Sequence, residues 1–480
     1  MSEKKVGLDP KQIFSKILFA VILLILAVVL VNIIPAGQFE RVVEDGHTVI
    51  SADSFRFIEG SRLPVWYYFA APFIAIASSS STLQVMAMLL VMGGVFTLLD
   101  RSKTLTYLVT VLMKRYGDRK YVLMFVMVFV LMLLGSTLSF YDQAALILPL
   151  TLGICFSVGW DSLMAMGMSV LSVGYGFACS TLNPFTVGIP QMIAGLPIYS
   201  GLWLRVLVFI VVYLLLAFYL YRYGKKLDQD THHSYSYEVD KEIRQKFNYT
   251  LDESLLSDRG VRKGAVFFLG CVIFSILFTV ASLFVRSLNS LSMIVILLSM
   301  LIGALGSAFI VKYASGKQIM KDFFSGMKTT AFGVIIILLI MGIRQIIVAS
   351  NVMDTILYYA YNRMQGISPL IVCYLILFVT LVMEFVVGSA STKAYLILPL
   401  ILPLGTMVGL TSQTIVQAYM FGDSFSNMFY PTSTMILLTT GIMGLPMSTW
   451  YKFTWKLILL TYGVVLLTLA LCVGIGYGPF

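Results

Sequence analysis

The pentapeptide Leu146-Ile147-Leu148-Pro149-Leu150 occurs twice in this chain, the second time as Leu396-Ile397-Leu398-Pro399-Leu400, which lies 250 residues later. Two shorter matches follow in the same order: Val158-Gly159 with Val408-Gly409 at an offset of 250, and Gly195-Leu196-Pro197 with Gly444-Leu445-Pro446 at an offset of 249. One match in a leucine-rich chain carries little weight, but three in order at nearly constant spacing indicate an internal duplication. The sequence therefore predicts two related halves.

The composition around these matches is that of a membrane protein. Of the 480 residues, 59% are hydrophobic and only 12% are charged, and a water-soluble fold could not bury so much apolar surface. The apolar blocks are long enough to cross about 30 Å of hydrocarbon as helices. We expect an all-α polytopic membrane protein in contact with the lipid bilayer, with spans at Ile17–Ile34, Leu83–Leu99, Leu202–Tyr221, Val266–Val285, Leu291–Val311, Ala331–Val348 and Phe453–Ile475.

Four further apolar segments are interrupted by polar residues. Two of them resume after the interruption and predict re-entrant hairpins: Tyr121–Leu134 stops at Gly135-Ser136-Thr137 and resumes at Ala144, and Pro369–Val387 stops at 388–393 and resumes at Ala394. Two others predict helices broken within the membrane: Leu163–Ala178 runs into 180–184, and Ile415–Phe421 runs into 422–427. Because unpaired backbone cannot face lipid, such breaks are buried in protein or line a cavity.

The basic residues predict the orientation. The net charge is +10, but Lys and Arg cluster in loops on one predicted side of the membrane. This distribution indicates the orientation of the protein rather than nucleic-acid binding. This distribution predicts that the N-terminus and the 224–262 linker lie in the cytoplasm and that Phe480 lies outside. The membrane is expected to be the cytoplasmic (inner) membrane of the cell. The extra span Val266–Val285 inverts the second half relative to the first, and inverted repeats with paired broken helices are typical of secondary transporters.

These features predict five regions. Scaffold helices and an interfacial helix of the first repeat occupy 1–119, and a first transport unit, with hairpin and broken helix, occupies 120–223. The cytoplasmic linker follows at 224–262, the scaffold helices of the second repeat at 263–365, and the second transport unit at 366–480. Two amphipathic segments with basic ends, Leu105–Tyr116 and Ile319–Lys328, are expected to lie in the headgroup layer.

Several segments resemble the C4-dicarboxylate anaerobic carrier-like family of the ion transporter superfamily, which includes dicarboxylate carriers and basic amino acid antiporters. They are 33–39 (Ile-Ile-Pro-Ala-Gly-Gln-Phe), 183–188 (Asn-Pro-Phe-Thr-Val-Gly), 388–394 (Gly-Ser-Ala-Ser-Thr-Lys-Ala) and 422–427 (Gly-Asp-Ser-Phe-Ser-Asn). The resemblance implies a scaffold, a moving transport domain with two hairpins, and elevator-type transport. At the first tip the chain reads Tyr141-Asp142-Gln143 where relatives often carry an acidic pair, and neither tip has the Ser-Asn-Thr of sodium-coupled dicarboxylate members.

Five ionisable residues fall at membrane depth in this topology: Asp142, Arg344, Glu384, Lys393 and Asp423. A charge there usually marks a site or pathway. The repeat offset aligns the neighbourhoods of Asp142 and Lys393, so these two residues either form a structural ion pair or bracket an amino acid, with Lys393 facing its carboxylate and Asp142 a cationic group. Arg344 is expected at an interface or at lipid headgroups, and Glu384 is expected to snorkel or pair.

The remaining polar residues of the breaks leave alternatives open. Asp423 with Ser424, Ser426 and Asn427 offers oxygens that suit a cation or a guanidinium group, or the carboxylate caps a helix end. For Ser180, Thr181 and Asn183, capping is an equal alternative to substrate contact. The predicted substrate-binding set is Ser136, Thr137, Ser139, Asp142, Gln143, Ser180, Thr181, Asn183, Ser389, Ser391, Thr392, Lys393, Asp423, Ser424, Ser426, Asn427 and Thr432.

The sequence thus predicts a secondary transporter for a small carboxylate-bearing solute. No paired-histidine, HExxH or nucleotide-binding motif is present, which argues against an enzyme, and inverted broken helices argue against a channel. The leading substrate is a basic amino acid in exchange, and the alternative is a C4-dicarboxylate or other organic anion. No cofactor or metal is expected. Coupling to Na⁺ or H⁺ and a homodimer through the scaffold helices are further hypotheses.

Overall fold

The structure is a computed structural model that describes residues 10–44, 47–50, 54–59, 63–77, 80–116, 119–141, 144–246, 254–285, 288 and 291–478. The first half contains helices α1 (Pro10–Ile33), α2 (Val65–Ala77), α3 (Ser80–Arg101), α4 (Thr104–Tyr116), α5 (Lys120–Leu138), α6 (Ala144–Ser157), α7 (Ser162–Met166), α8 (Ser172–Cys179), α9 (Ile189–Ile193), α10 (Leu202–Gln229) and α11 (Tyr237–Lys246). The second half contains α12 (Ser254–Ser257), α13 (Arg259–Phe284), α14 (Ser292–Val311), α15 (Gly316–Ala349), α16 (Val352–Met364), α17 (Pro369–Val386), α18 (Ala390–Met407), α19 (Ser412–Ser424), α20 (Thr434–Met443) and α21 (Met447–Gly474). Single turns of π-helix (Gly167–Leu171 and Pro184–Gly188) and 3₁₀-helix (Thr231–His233 and Phe425–Met428) connect some of these.

Four short strands correct the expectation of a purely helical chain. They lie in the polar segment between α1 and α2, where the membrane does not require helix. Strand β1 (Gly37–Gln38) pairs antiparallel with β4 (Arg56–Phe57), and β2 (Arg41–Glu44) pairs antiparallel with β3 (His47–Ile50), with Arg41 opposite Ile50.

Eight helical segments of the described residues are long and apolar enough to cross a membrane. They are Lys120–Leu138, Ser162–Ile193, Leu202–Gln229, Arg259–Ser282, Ser292–Val311, Gly316–Ala349, Ala390–Met407 and Met447–Gly474. The chain is therefore a multi-pass membrane protein.

Helix α15 corrects one prediction. The amphipathic segment Ile319–Lys328 and the span Ala331–Val348 are not separate, because a single helix of 34 residues contains both. Thr329 and Thr330, which separate them, donate their hydroxyls to backbone carbonyls one turn earlier and so remain within the helix. Helix α4, by contrast, is separate as predicted.

A first helix group consists of α1–α3 and α13–α15, which pack mainly against one another. Its closest crossing joins α3 to α15 through glycines: a Cβ added to Gly326 would lie 2.4 Å from the carbonyl oxygen of Gly93. Small residues of this kind let two membrane helices approach at backbone distance.

A second helix group consists of α5–α10 and α17–α21, with α5 packed along α8 and α17 packed along α19. The segment Ser162–Ile193 is its centre. The most apolar window of this segment is 100% buried in the protein, against 33% for α21. This burial is what interrupted backbone at membrane depth requires.

The two halves of the second helix group have matching helix ends. After α6, Gly159 has a φ of 84°, and after α18, Gly409 has a φ of 87°. The amide of the following residue bonds back to the helix in both places, Trp160 to Cys155 O at 2.7 Å and Leu410 to Gly405 O at 2.9 Å. Glycine is favoured at such left-handed helix ends. The repeated Val-Gly pairs therefore have the same local structure in both halves.

The four predicted interruptions are present, but two lie later in the chain than predicted and one is shorter. Gly135, Ser136 and Thr137 still belong to α5, which ends at Ser139 in left-handed conformation. Residues 422–427 continue as α-helix and then 3₁₀-helix, so the interruption predicted at 422–427 lies at 429–433. The interruption predicted at 388–393 spans only 387–389, which places Lys393 in the first turn of α18.

The described parts of the linker, 224–246 and 254–262, are largely helical. Helix α10 extends to Gln229, and the following residues fold against the N-terminus of α7. Ser234 donates a hydrogen bond of 2.7 Å to Asp161, and Asp240 accepts one of 3.0 Å from the amide of Ser162. Burial raises the pKa of Asp161 to about 6.

Candidate functional site

The first polar cluster joins the end of α5 to the interruption after α8. The Ser136 hydroxyl lies 2.8 Å from the Thr181 hydroxyl and accepts a hydrogen bond of 2.9 Å from the Thr181 amide. Ser139 donates its hydroxyl to the side-chain oxygen of Asn183, which also accepts the Thr186 amide at 3.2 Å. Since these side chains are buried, they satisfy backbone groups that the interruption would otherwise leave unpaired.

Glycines allow this close approach. A Cβ on Gly135 would lie 2.2 Å from Val173 O, and a Cβ on Gly176 would lie 2.0 Å from Met132 O. Both contacts are with backbone, which cannot move aside as a flexible side chain can. The crossing of α5 and α8 therefore depends on glycine at both positions.

The second polar cluster surrounds the end of α19. The Ser426 hydroxyl donates to Gly422 O at 2.8 Å, and the Asn427 side-chain amide donates to Asp423 O at 2.9 Å. These polar side chains therefore bond to carbonyls of their own helix end. The Asp423 side chain is not needed for capping and is free to accept other donors, one of which is the Ser424 hydroxyl at 2.9 Å.

Lys393 lies at the centre of an acidic pair. Its ammonium is 2.8 Å from one carboxylate oxygen of Asp423 and also contacts the carboxylate of Glu384. The three side chains are almost fully enclosed, with exposures of 0% for Lys393, 1% for Asp423 and 3% for Glu384. We call these three residues the charge triad.

The ionisable residues that the sequence placed at membrane depth can now be located. Asp142 and Gln143 lie outside the described residues, so the predicted pairing of Asp142 with Lys393 is not observed. Glu384 pairs with Lys393; pairing was one of the two behaviours predicted for it, the other being to snorkel. Arg344 is exposed on α15 and lies near enough to interact electrostatically with Tyr395.

The two halves meet across the broken helices. Tyr141, next to the first tip, donates its hydroxyl to Asn427 O at 3.2 Å and lies 3.1 Å from the Ser433 hydroxyl. The Tyr175 and Phe425 rings are 5.7 Å apart. The residues next to the first tip and on α8 therefore contact the segment that follows α19.

Other predicted residues are placed more peripherally. Thr137 donates to Leu133 O within its own helix at 2.7 Å. Ser389 is exposed and donates to the buried Thr392 at 2.9 Å, and Ser391 is buried. Thr432 is exposed on the turn before α20.

Sequence reasoning missed two residues of this region. Tyr141 was quoted only as a neighbour of Asp142. Gln417, on α19, is buried, and neither its side-chain oxygen nor its nitrogen has a hydrogen-bond partner within the described residues. Its signal in the sequence was a polar residue one and a half turns before Asp423 inside an otherwise apolar stretch. An unpaired buried amide is rare, and it makes Gln417 a candidate for contact with a bound solute.

No group of three His, Cys, Asp or Glu side chains in the described part of the chain is arranged to hold a metal ion. What the arrangement offers is a buried charge triad beside two interrupted helices. Buried ionisable groups at such positions are characteristic of transport pathways. Together with the membrane-spanning helices, they are typical of a membrane transporter.

Comparisons with known proteins agree with this class. The sequence model of the C4-dicarboxylate anaerobic carrier family, DcuC, matches residues 14–474. The chain therefore belongs to the C4-dicarboxylate anaerobic carrier family and is a secondary membrane transporter.

Two relatives have similar sequences. An uncharacterised protein of Haemophilus influenzae is 27% identical over 390 residues, which cover 80% of this chain and 74% of that protein. The Escherichia coli protein YfcC, provisionally named a basic amino acid antiporter, is 25% identical over 455 residues, which cover 88% of each chain.

Two solved structures share the fold. The YdaH transporter of Alcanivorax borkumensis superimposes with a TM-score of 0.70 at 14% identity, covering 96% of this chain and 99% of that one. Neisseria gonorrhoeae MtrF, described with a class of antimetabolite efflux pumps, gives a TM-score of 0.68 at 15% identity, covering 95% and 94%.

Proposed function

We propose that this protein exchanges a basic amino acid, of the arginine or ornithine type, across the cytoplasmic membrane by an elevator mechanism. The observation that carries the proposal is the charge triad, in which Lys393 is enclosed with both Glu384 and Asp423. When all three groups are ionised, the triad carries a net charge of −1, and an uncompensated charge at membrane depth is costly.

A cationic side chain bound beside the triad removes this excess negative charge. A C4-dicarboxylate would instead bring two further negative charges next to two carboxylates. The provisional name of YfcC also favours a basic amino acid. The alternative, a C4-dicarboxylate or other organic anion, is favoured by the family description and by Lys393, whose ammonium would then face a substrate carboxylate.

Exchange follows from the same charge argument. A moving unit whose empty site carries a net charge crosses the membrane less readily than one whose site is neutral. The carrier therefore returns with a second cation bound. The α-carboxylate of the amino acid is assigned to donors of the first polar cluster, Ser139, Ser180, Thr181 and Asn183, and its side chain to Asp423.

The moving unit is assigned to the second helix group. The grouping of helices supports this, since α5–α10 and α17–α21 pack together around the interrupted segments. The first helix group is the scaffold, and α4 and α16 connect the two. In this scheme the halves form an inverted repeat, the 120–157 and 369–407 segments are the re-entrant hairpins, and the scaffold helices form a homodimer.

Transport assays in proteoliposomes test the proposal. Vesicles loaded with unlabelled arginine should take up labelled arginine faster than empty vesicles, because exchange is stimulated from the opposite side. Asp423→Asn should reduce this uptake more than tenfold. Asp258→Asn is the matched control, since Asp258 is an exposed helix cap and Asn caps equally well.

Succinate-loaded vesicles separate the alternatives. Uptake of labelled succinate without any uptake of arginine or ornithine would refute the basic amino acid assignment. Normal arginine exchange by Asp423→Asn would show that the triad does not form the cation site.

A further inference from the structure

We propose that Glu384 is a proton-binding site, occupied when the cationic substrate leaves, so that the protein can exchange a proton for a basic amino acid. This inference rests on the proposed function and names the ion that replaces the substrate. It starts from the inequality of the two carboxylates that contact Lys393.

Asp423 has the better partners. One of its carboxylate oxygens is 2.8 Å from the Lys393 ammonium, and the other accepts the Ser424 hydroxyl at 2.9 Å. Hydrogen bonds and opposite charges both favour the ionised form of a carboxylic acid. Asp423 is therefore the better supported partner of Lys393.

Glu384 shares the same ammonium but has less support. Its carboxylate lies in the last turn of α17, under the tip, where a Cβ added to Gly388 would lie 3.5 Å from one of its oxygens. Its other oxygen contacts the Lys393 ammonium, as one oxygen of Asp423 does, but within the described residues no hydroxyl donates to Glu384 as Ser424 donates to Asp423. Burial without hydrogen bonds favours the neutral acid. Once Asp423 neutralises Lys393, Glu384 is the group that takes up a proton.

Within the described residues, the other titratable groups near Glu384 are the two remaining members of the charge triad, several tyrosines and one arginine. Helix α18 contributes Lys393 and Tyr395, and α19 contributes Asp423 and Tyr419, whose hydroxyl donates to Ala390 O. Tyr430 donates its hydroxyl to Leu381 O, and α21 contributes Tyr462. From α15, Arg344 acts on Tyr395. The three histidines of the chain, His47, His232 and His233, lie in polar connections, and Asp142 lies outside the described residues.

The consequence is that the site is neutral both when the substrate is bound and when a proton has replaced it. With substrate bound, Glu384 and Asp423 are ionised and their two charges are balanced by Lys393 and the cationic side chain. With substrate absent, the proton on Glu384 takes the place of the second cation. The proton leaves to solvent when the next basic amino acid binds.

The experiment is calorimetry of L-arginine binding to the purified full-length protein. Titrations between pH 5 and 7.5, repeated in buffers of different ionisation enthalpy, give the number of protons released per arginine bound. For the wild type we expect release that approaches one proton at the acidic end. The affinity should fall up to tenfold for each pH unit below the point where free Glu384 becomes protonated, because binding and proton release are linked.

Variants assign the proton to its group. Glu384→Gln should release almost no proton and should bind arginine with an affinity that does not change with pH. Glu384→Asp retains a carboxylate on a shorter side chain, so its proton release should remain but shift along the pH axis. Glu238→Gln, at an exposed position of α11, is the matched control and should behave as the wild type.

The outcomes separate the two proposals. Absence of arginine binding by the wild type at every pH refutes the proposed function and the coupling with it. Arginine binding without proton release refutes the coupling alone. Proton release by Glu384→Gln equal to that of the wild type refutes the assignment of the proton to Glu384. If Glu384→Gln does not fold, identical pH profiles for the wild type and Glu384→Asp refute the same assignment.

Discussion

Replacing Lys393 with methionine should destabilise the protein far more than breaking an ion pair at its surface. Methionine retains the unbranched apolar stem of lysine, one atom shorter, but removes the ammonium, which leaves Glu384 and Asp423 enclosed together without a counter-ion. Removing one partner of a buried ion pair typically costs about 3–5 kcal/mol of unfolding free energy. With exposures of 0%, 3% and 1%, the triad belongs to that buried class.

The chain supplies a matched control in Lys120. Its ammonium lies 2.6 Å from an oxygen of Asp228, a distance similar to that between Lys393 and Asp423, but the two side chains are 32% and 25% exposed. Water screens such a pair, so Lys120→Met should cost about 0–1 kcal/mol. The free energy of unfolding, measured in mixed micelles at increasing SDS fraction, gives both values.

A rescue variant tests whether charge is the cause. Glu384→Gln combined with Asp423→Asn in the Lys393→Met background removes all three charges and should restore most of the lost stability, because neutral side chains are cheaper to bury than unpaired ions. If Lys393→Met costs no more than Lys120→Met, or if the triple variant is no more stable than Lys393→Met, the charge argument is wrong.

Three further predictions concern other parts of the molecule. Because burial raises the pKa of Asp161 to about 6, the folded state binds a proton that the unfolded state does not, so the contact of 230–246 with α7 should strengthen as pH falls. Between pH 7.5 and 5.5 we expect a gain of about 1 kcal/mol, seen as severalfold higher hydrogen-exchange protection, and Asp161→Asn should abolish the difference. Gly176→Ala should lower the free energy of unfolding of the protein by about 1–3 kcal/mol or more, since its Cβ would meet Met132 O at 2.0 Å. Gly463→Ala on α21, with open space around it, should be neutral or stabilising. Equal unfolding free energies for the two variants would contradict the close crossing of α5 and α8. In a cysteine-free background, a membrane-impermeant maleimide applied to intact cells should label a cysteine at Gly474 but not one at His233; both positions are exposed, and labelling at His233 would reverse the proposed orientation.

The sequence contained enough to predict most of the long apolar helices and the existence of the four interruptions, but not α2 (Val65–Ala77). Gly, Ser or Pro residues lie at each interruption, and the repeated Val-Gly pairs correspond to the left-handed ends at Gly159 and Gly409. The exact limits were harder to predict, because residues that favour a turn, such as Ser426 and Asn427, can also lie within a helix and hydrogen-bond its own carbonyls.

The partners of Lys393 show what sequence reasoning lacked. A long tip at 388–393 would have separated Lys393 from Glu384, and the repeat offset then pointed to Asp142 as a partner. The interruption spans only 387–389, so the last turn of α17 and the first turn of α18 face each other across three residues. Whether a polar tip has three residues or six is decided by tertiary packing, which the residue types alone do not specify.

The burial of the apolar window within Ser162–Ile193 has a consequence for how the protein is made. A membrane segment with almost no lipid-facing surface, which carries Ser, Thr and Asn residues at its interruption, has no stable place in the bilayer until its neighbours are present. Several of those neighbours are synthesised more than 240 residues later: a Cβ on Gly174 would collide with the Met428 side chain, and Tyr175 bonds Thr461. The first half is therefore expected to remain an incompletely assembled intermediate on the ribosome, protected by the insertion machinery, until the last helix enters the membrane.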